Sequence, residues 1–128
     1  MVVIMQINPL KRRTEEVLRY KMDINLKKKI FNVKNDLVEN TFTYLLFEEG
    51  IFDIGKLEEL IDDSNKYLIG ASDDKQITEI LSWVVSSVEQ CFISQHDKDD
   101  FYEIKNYDPE LEIRWNNYWK KQLLSHVS

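Results

Sequence analysis

Histidine and cysteine are the first side chains to consider for chemistry in this chain. His96 and His126 are the only histidines and Cys91 is the only cysteine, so a Cys–His nucleophile pair would have to use Cys91. Helical spacing places Cys91 on the same stripe as Val84 and Val88, where we expect a buried and unreactive thiol. A single cysteine also excludes a disulfide within the chain and a zinc site built from several cysteines.

The segment from His96 to Asp100 combines an imidazole with carboxylates, which are ligand types found in metal sites. Lys98 lies inside this segment, the glycine of a calcium loop is missing, and no second histidine is near. We therefore expect no metal there. We expect no nucleotide triphosphate site either, because phosphate-binding loops need clustered glycines and those of this chain are scattered.

Acidic doublets occur five times along the chain. General acid–base catalysis needs carboxyl groups in contrasting environments, so that their proton affinities differ. No pattern places a doublet in an apolar pocket, so we expect solvated helix faces and helix caps. We therefore expect that the protein has no set of catalytic residues, binds no cofactor and is not an enzyme. The doublets are Glu48–Glu49, Glu58–Glu59, Asp62–Asp63, Asp73–Asp74 and Asp99–Asp100.

The charges are distributed unevenly along the chain. Residues 1–34 carry nine Lys and Arg against three acids, and the remainder carries eight against twenty, for a total of −6. The basic segment 11–34 could contact phosphates. A nucleic-acid-binding domain is typically basic overall, however, and the isoelectric point here is near 4.9. We expect these lysines to form a solvated helix face or to pair with the protein's own acids.

Aromatic rings alternate with carboxylates between residues 97 and 107. This mixture suits a protein interface, because the rings supply contact area at low entropic cost and the acids steer and pair with a basic partner. An ordinary surface loop is the competing interpretation. The predicted partner-binding residues are Asp97, Asp99, Asp100, Phe101, Tyr102, Glu103, Tyr107 and Asp108.

Helical periodicity predicts the elements that must position these residues. Apolar residues recur every three or four positions, and only three glycines and two prolines interrupt them, which disfavours an all-β fold. We predict an all-α, single-domain bundle or orthogonal array of about five amphipathic helices across residues 1–128. The helices are expected over residues 9–22, 26–47, 54–68, 73–92 and 109–123, with approximate ends.

Helix-start signals support several of these boundaries. Asn8–Pro9 and Asp108–Pro109 place proline at the first helical position, and Asp53 is a candidate N-cap for the third helix. Asp73 and Gln76 form a capping-box pattern for the fourth helix. The last helix is expected to bury Leu111, Trp115, Tyr118, Trp119 and Leu123.

Residues 1–8 are apolar and short, and we expect a strand, a docked arm or a disordered start there. Their apolar run precedes the basic cluster, which is the reverse of the order in a secretory signal. No stretch approaches the roughly 20 apolar residues of a membrane span. We therefore expect a cytoplasmic protein that does not enter membranes.

In profile, the chain resembles the small acidic immunity proteins of bacterial toxin–immunity pairs, including helical ones from contact-dependent growth inhibition systems. The features behind the resemblance are the acidic balance after residue 34, the stretch HDKDDFYEIKNYDPE, the missing catalytic set and the size of one domain. The resemblance implies a protein that binds and neutralises a basic cognate toxin, often a nuclease.

Two functions of other classes stay open beside this first choice. A small helical regulator could contact nucleic acid through residues 11–34, although we consider a nucleic-acid partner the weaker prediction. An enzyme could use His96 with neighbouring acids, provided that His96 lines a cleft. Scaffold and adaptor roles complete the alternatives.

Overall fold

The protein is all-α, as the periodicity predicts. A computed structural model describes residues 9–127, with side chains described from residue 14, and this part of the chain contains helices and turns but no strand. The expectation for residues 1–8 lies outside the described residues. The helices are α1 (Pro9–Asn32), α2 (Phe42–Glu48), α3 (Ile54–Gly70), α4 (Lys75–His96), α5 (Pro109–Arg114) and α6 (Lys120–Leu124), with a π-helical turn (Trp115–Trp119) between α5 and α6.

The first helix is continuous, so the predicted break between residues 22 and 26 is wrong. The intervening residues 23–25 contain neither glycine nor proline, and nothing else interrupts the backbone hydrogen bonds there. The C-terminal half of α1 packs on the protein, and its Ile30 is fully buried. None of the described helices is long and apolar enough to cross a lipid bilayer.

The predicted helix over residues 26–47 is also wrong, because a series of turns separates α1 from α2. The side chain of Asn35 accepts a hydrogen bond from the amide of Leu37 at 3.0 Å. Thr41 is the N-cap of α2 and accepts a hydrogen bond from the amide of Tyr44 at 3.1 Å. These local side-chain bonds satisfy backbone groups outside a helix, and they outweigh the apolar spacing that continues through the segment.

The predicted N-caps at Asp53 and Asp108 are confirmed, since each carboxylate accepts a hydrogen bond from an amide in the first turn of its helix. The predicted capping box of Asp73 and Gln76 is wrong by one residue. Asp74 is the N-cap of α4, and no described contact links Asp73 to Gln76. The carboxylate of Asp74 also binds groups from two other helices, which fixes the helix start at this position.

Aromatic rings from several elements form the centre of the core. Phe52, in the connection between α2 and α3, lies 5.2 Å from Phe42 and 6.0 Å from Phe92, measured between ring centroids. Its ring also lies 5.8 Å from Trp119 and 6.4 Å from Trp115. These contacts join α2, α4 and the C-terminal helical segment around one side chain.

The C-terminal segment buries Leu111, Trp115, Trp119 and Leu123, but Tyr118 is 57% exposed and its predicted inward position is wrong. Residues spaced by four drift about 40° per step around an α-helix, which has 3.6 residues per turn. The π-helical turn is wider, so it counteracts this drift and keeps the four buried residues in line. Tyr118 consequently faces solvent.

Candidate functional site

The predicted site residues lie in the connection between α4 and α5, which we call the acidic loop (residues 97–108). Although the loop has no regular secondary structure, it is docked onto the protein at its centre. Ile104 is buried, and its amide donates a hydrogen bond to the side chain of Gln95 at 2.7 Å. Asn106 binds both the amide and the carbonyl of Phe52, each at 2.9 Å. The exposed parts of the loop are therefore held on a fixed base.

Gly50 explains why the loop can lie so close to the end of α2. Its carbonyl accepts a hydrogen bond from the amide of Lys105 at 2.7 Å, and its φ angle is +66°. A Cβ atom at this position would lie 2.4 Å from the carbonyl oxygen of Glu103. Glycine is thus required here both by the backbone conformation and by the close approach of the loop.

The acidic side chains of the loop are exposed and have no counter-ion among the described side chains. Asp97, Asp99, Asp100 and Glu103 are all exposed, and none of them forms a salt bridge within residues 14–127. Asp97 accepts a hydrogen bond from the amide of Asp99, and Asp100 accepts one from the amide of Tyr102, each at 2.9 Å. These side chain-to-backbone bonds fix the carboxylates locally without neutralising them.

The three aromatic residues predicted as anchors differ in their environments. Phe101 is fully exposed, beside Asp99 and Asp100. Tyr102 is half-buried, and its hydroxyl donates a hydrogen bond to the carbonyl of Leu46. Burial, followed by the neighbouring thiol of Cys91, raises the pKa of Tyr102. Phe101 is therefore the free aromatic side chain, whereas Tyr102 is bonded into the fold.

Tyr107 is likewise half-buried and belongs to a polar cluster with two other residues. Its hydroxyl donates a hydrogen bond to Glu112 at 2.8 Å, and its ring packs edge-on against Phe92. Burial and then the hydrogen bond to Glu112 raise the pKa of Tyr107. His96 lies 2.6 Å from the same carboxylate oxygen, measured from Nε2. Sequence reasoning did not connect Glu112 with His96, because sixteen residues separate them.

The His96 cluster lies at the surface. The side chain of His96 is 55% exposed, and His96 lines neither the cleft beside Lys29 and Asp63 nor the cleft beside Tyr44 and Trp83. Within that part of the chain, no three His, Cys, Asp or Glu side chains are arranged to hold a metal ion. Cys91 is buried as expected, and burial raises the pKa of its thiol.

The C-terminal half of α1 pairs with the protein's own acids. Lys27 lies 2.9 Å from Asp74, and Lys29 lies 2.9 Å from Asp63 and 3.0 Å from Glu59. The hydrogen bond that Lys29 donates to Asp63, and then the one that it donates to Glu59, raise the pKa of Lys29. Lys27 and Lys29 of the basic segment therefore form ion pairs within the protein.

The N-terminal half of α1 is different, because nearly all of its described side chains are exposed. Every side chain from residue 14 to residue 25 is exposed except that of Asp23. Arg19 and Lys21 carry its described positive charge. Its exposed apolar side chains are Val17, Leu18, Tyr20, Met22 and Ile24.

The protein is all-α, and its acidic loop presents carboxylates that form no ion pair with any described side chain, next to the exposed ring of Phe101. Such an arrangement can bind a cationic surface. No protein-family model, no curated protein and no solved structure matches the chain, so no relative assigns a role to these residues.

Proposed function

We propose that this protein binds a basic protein partner through the acidic loop, and that the partner is a toxin which this binding neutralises. The single observation that carries the proposal is the fully exposed ring of Phe101 among four carboxylates that have no counter-ion in residues 14–127. Charges that serve only the fold would be expected to resemble Asp63 and Asp74, each of which is paired with a lysine.

Electrostatic attraction supplies the first part of the binding mechanism. Residues 97–108 contain five acids and two lysines, so the loop is strongly negative. Opposite fields on two proteins raise association rate constants from about 10⁵–10⁶ to as much as about 10⁸–10⁹ M⁻¹s⁻¹ at low salt. Fast capture suits an inhibitor that must act before its target does harm.

The second part of the binding mechanism is burial of the Phe101 ring against the partner. Aromatic residues carry much of the binding energy of protein interfaces when a partner buries them. The hydrogen bonds at Ile104 and Asn106 already hold the loop in place. Little conformational entropy is therefore lost when Phe101 docks, and this preorganisation strengthens binding.

The toxin part of the proposal follows from the resemblance to immunity proteins together with the charge of the loop. A nuclease must attract phosphate groups, so its active site is basic. A protein with a fixed acidic loop can cover such a site and keep nucleic acid out. Neutralisation by coverage needs no catalytic group on the inhibitor.

The test compares two quadruple variants in pull-downs from the native host and in a toxicity assay with the captured protein. The loop variant removes charge but keeps the side-chain oxygens that accept the loop's hydrogen bonds, and it removes the exposed ring. The control variant changes equally exposed residues on α3 and α4. The loop variant is Asp97→Asn, Asp99→Asn, Asp100→Asn and Phe101→Ser. The control variant is Glu58→Gln, Asp62→Asn, Glu79→Gln and Ile69→Ser.

Wild type and the control variant are expected to capture the same basic protein and to suppress its toxicity. The loop variant should bind it on the order of 100-fold more weakly, through slower association and a lost anchor. Retained affinity in the loop variant would reject the acidic loop as the binding site. A captured protein that is acidic, or that is harmless when expressed alone, would reject the toxin proposal.

A second candidate function has one observation in its favour, which is the exposed N-terminal half of α1. Its Arg19 and Lys21 are exposed and form no salt bridge within residues 14–127, so this half could bind nucleic acid. Retention on heparin at low salt tests this. If α1 binds phosphates, Arg19→Gln with Lys21→Gln should lower the eluting salt concentration, whereas Lys66→Gln with Lys98→Gln should leave it unchanged.

A further inference from the structure

A second surface feature lies beside α2, and its lining contains no residue of the acidic loop. We call it the aromatic cleft, and Tyr44, Phe47 and Trp83 supply its rings. The cleft has a volume of about 280 Å³. Phe47 and Trp83 meet edge to face, with 5.8 Å between their centroids. A volume just below the usual ligand-pocket range of about 300–1,000 Å³ suits one side chain of a partner better than a separate ligand.

The cleft already holds a positive charge that comes from the chain itself. The ammonium nitrogen of Lys34 lies 5.5 Å from the centroid of the Trp83 ring. Lys34 is exposed and forms no salt bridge within residues 14–127. The face of Trp83 is therefore accessible to a cation, and a flexible exposed lysine is a weak occupant that a better cation can displace.

The surroundings of the cleft are acidic. Glu48 and Asp36 lie in its lining. Burial, followed by the negative charges of Glu39, Glu49 and Glu48, raises the pKa of Tyr44. An incoming cation therefore meets aromatic faces and carboxylates together, and this combination favours a guanidinium group.

We propose that the aromatic cleft receives an arginine side chain of the basic partner, with the guanidinium stacked on Trp83 and paired with Glu48. Lys34 leaves the ring when the arginine enters. Arginine fits better than lysine because its planar guanidinium stacks on a ring and still donates hydrogen bonds at its edge. This inference rests on the proposed function for the identity of the partner.

The cleft and the acidic loop are close enough to belong to one interface. Tyr102 of the loop binds the carbonyl of Leu46, the residue before Phe47 in the cleft. Cys91, which neighbours Tyr102, follows Trp83 by eight residues on α4, or about 12 Å of helix. A standard interface buries about 800 Å² on each partner, a patch roughly 30 Å across.

The experiment uses the purified full chain and two small probes, N-acetyl-arginine amide and its neutral isostere N-acetyl-citrulline amide. Trp83 is partly exposed, whereas Trp115 and Trp119 are fully buried, so its indole NMR signal reports on the cleft alone. The arginine probe is expected to shift the Trp83 signal in a saturable way. The citrulline probe should bind at least tenfold more weakly.

Two variants sharpen the test. Lys34→Gln should strengthen binding of the arginine probe three- to tenfold, because it removes the competing cation, while Lys66→Gln at an unrelated exposed site should change nothing. Glu48→Gln should weaken binding by a similar factor. Equal shifts with both probes, or weaker binding by Lys34→Gln, would overturn the proposal.

The same variants separate this inference from the proposed function. If the cleft has no role, Glu48→Gln and Lys34→Gln will bind the captured partner as wild type does, although the loop variant fails to bind. If the loop proposal is wrong, the loop variant will retain the partner, while the probe titration still reports on the cleft. Each proposal can therefore fail alone.

Discussion

At the scale of single residues, Tyr102 shows how a side chain in an exposed acidic loop can serve the fold. Its hydroxyl satisfies the carbonyl of Leu46 at the end of α2, while the adjacent Phe101 contributes nothing to the packing. Two neighbouring aromatic residues thus divide between structure and surface. Substitutions of Phe101 therefore test binding, whereas substitutions of Tyr102 test folding.

Tyr102→Phe is expected to lower the free energy of unfolding by about 1 kcal/mol, because the carbonyl of Leu46 loses its hydrogen-bond donor. Phe101→Ser, the control at the next position, should change it by less than about 0.5 kcal/mol. Urea unfolding followed by circular dichroism measures both. Equal losses in the two variants would show that Tyr102 is not bonded into the fold.

Asp74 is the second instructive residue, since it joins three helices. It caps α4 and accepts hydrogen bonds from Tyr67 of α3, at 2.5 Å, and from Lys27 of α1. Burial raises the pKa of its carboxyl, but these hydrogen bonds outweigh burial and bring the pKa below its ordinary value of 3.8. The ionised carboxylate therefore stabilises the folded state above pH 3.8, and this contribution is lost as the pH falls through the lower native pKa.

Asp74→Asn tests this linkage without removing the N-cap, because asparagine caps helices as well as aspartate does. The variant should be less stable than wild type at pH 7, and the difference should shrink as the pH falls below 3.8. The neighbouring Asp73→Asn, at an exposed position, should show no such trend. Urea unfolding from pH 7 to pH 2 provides the measurement. A difference that stays constant with pH would contradict the assigned role of the charge.

The sequence predicted which loop carboxylates would be exposed, but it did not predict the orientation of the loop's aromatic side chains. The carboxylates of Asp97, Asp99 and Asp100 could be expected at the surface, because an unpaired charge is costly to bury. Which of Phe101 and Tyr102 turns inward depends on how the loop docks on α2. That docking depends on Gly50, whose contact partner Glu103 is far away in sequence.

At the scale of the elements, α1 divides into two halves with different roles. Its C-terminal half buries Ile30 and forms ion pairs to α3 and to the start of α4. Its N-terminal half exposes Val17 and Leu18, which are 50% and 60% accessible. Stability should therefore respond to changes in only one half.

Ile30→Ala is expected to cost roughly 2–5 kcal/mol, because it leaves a cavity in a fully packed region. Leu18 lies about three turns closer to the N-terminus on the same helix. Leu18→Ala should lower the free energy of unfolding by less than about 0.5 kcal/mol. Thermal and urea unfolding compare them directly. A large loss from Leu18→Ala would mean that the N-terminal half of α1 is packed against the protein.

The element boundaries show what periodicity can and cannot predict. It predicted α3 and α4 well, because their apolar stripes follow the capping residues Asp53 and Asp74. It failed between α1 and α2, where apolar spacing continues through turns that Asn35 and Thr41 stabilise locally. The π-helical turn was missed as well, since a spacing of four fits an α-helix nearly as well over a short segment.

At the scale of the whole molecule, charge organises both the fold and the proposed function. Lys27 and Lys29 near the end of α1 form ion pairs with acids of α3 and of the start of α4. The acidic loop forms no ion pair within residues 14–127 and keeps its negative charge. The molecule therefore presents a concentrated acidic surface on a helical body that its own cations stabilise.

Backbone hydrogen–deuterium exchange, with and without the captured partner, distinguishes binding at the acidic loop from binding at α1. If the partner binds the acidic loop, residues 97–108 will exchange more slowly in the complex, α2 will slow less, and residues 14–25 will not change. Protection confined to residues 14–34, with exchange in the acidic loop unaltered, would rule out binding at the loop and assign it to α1.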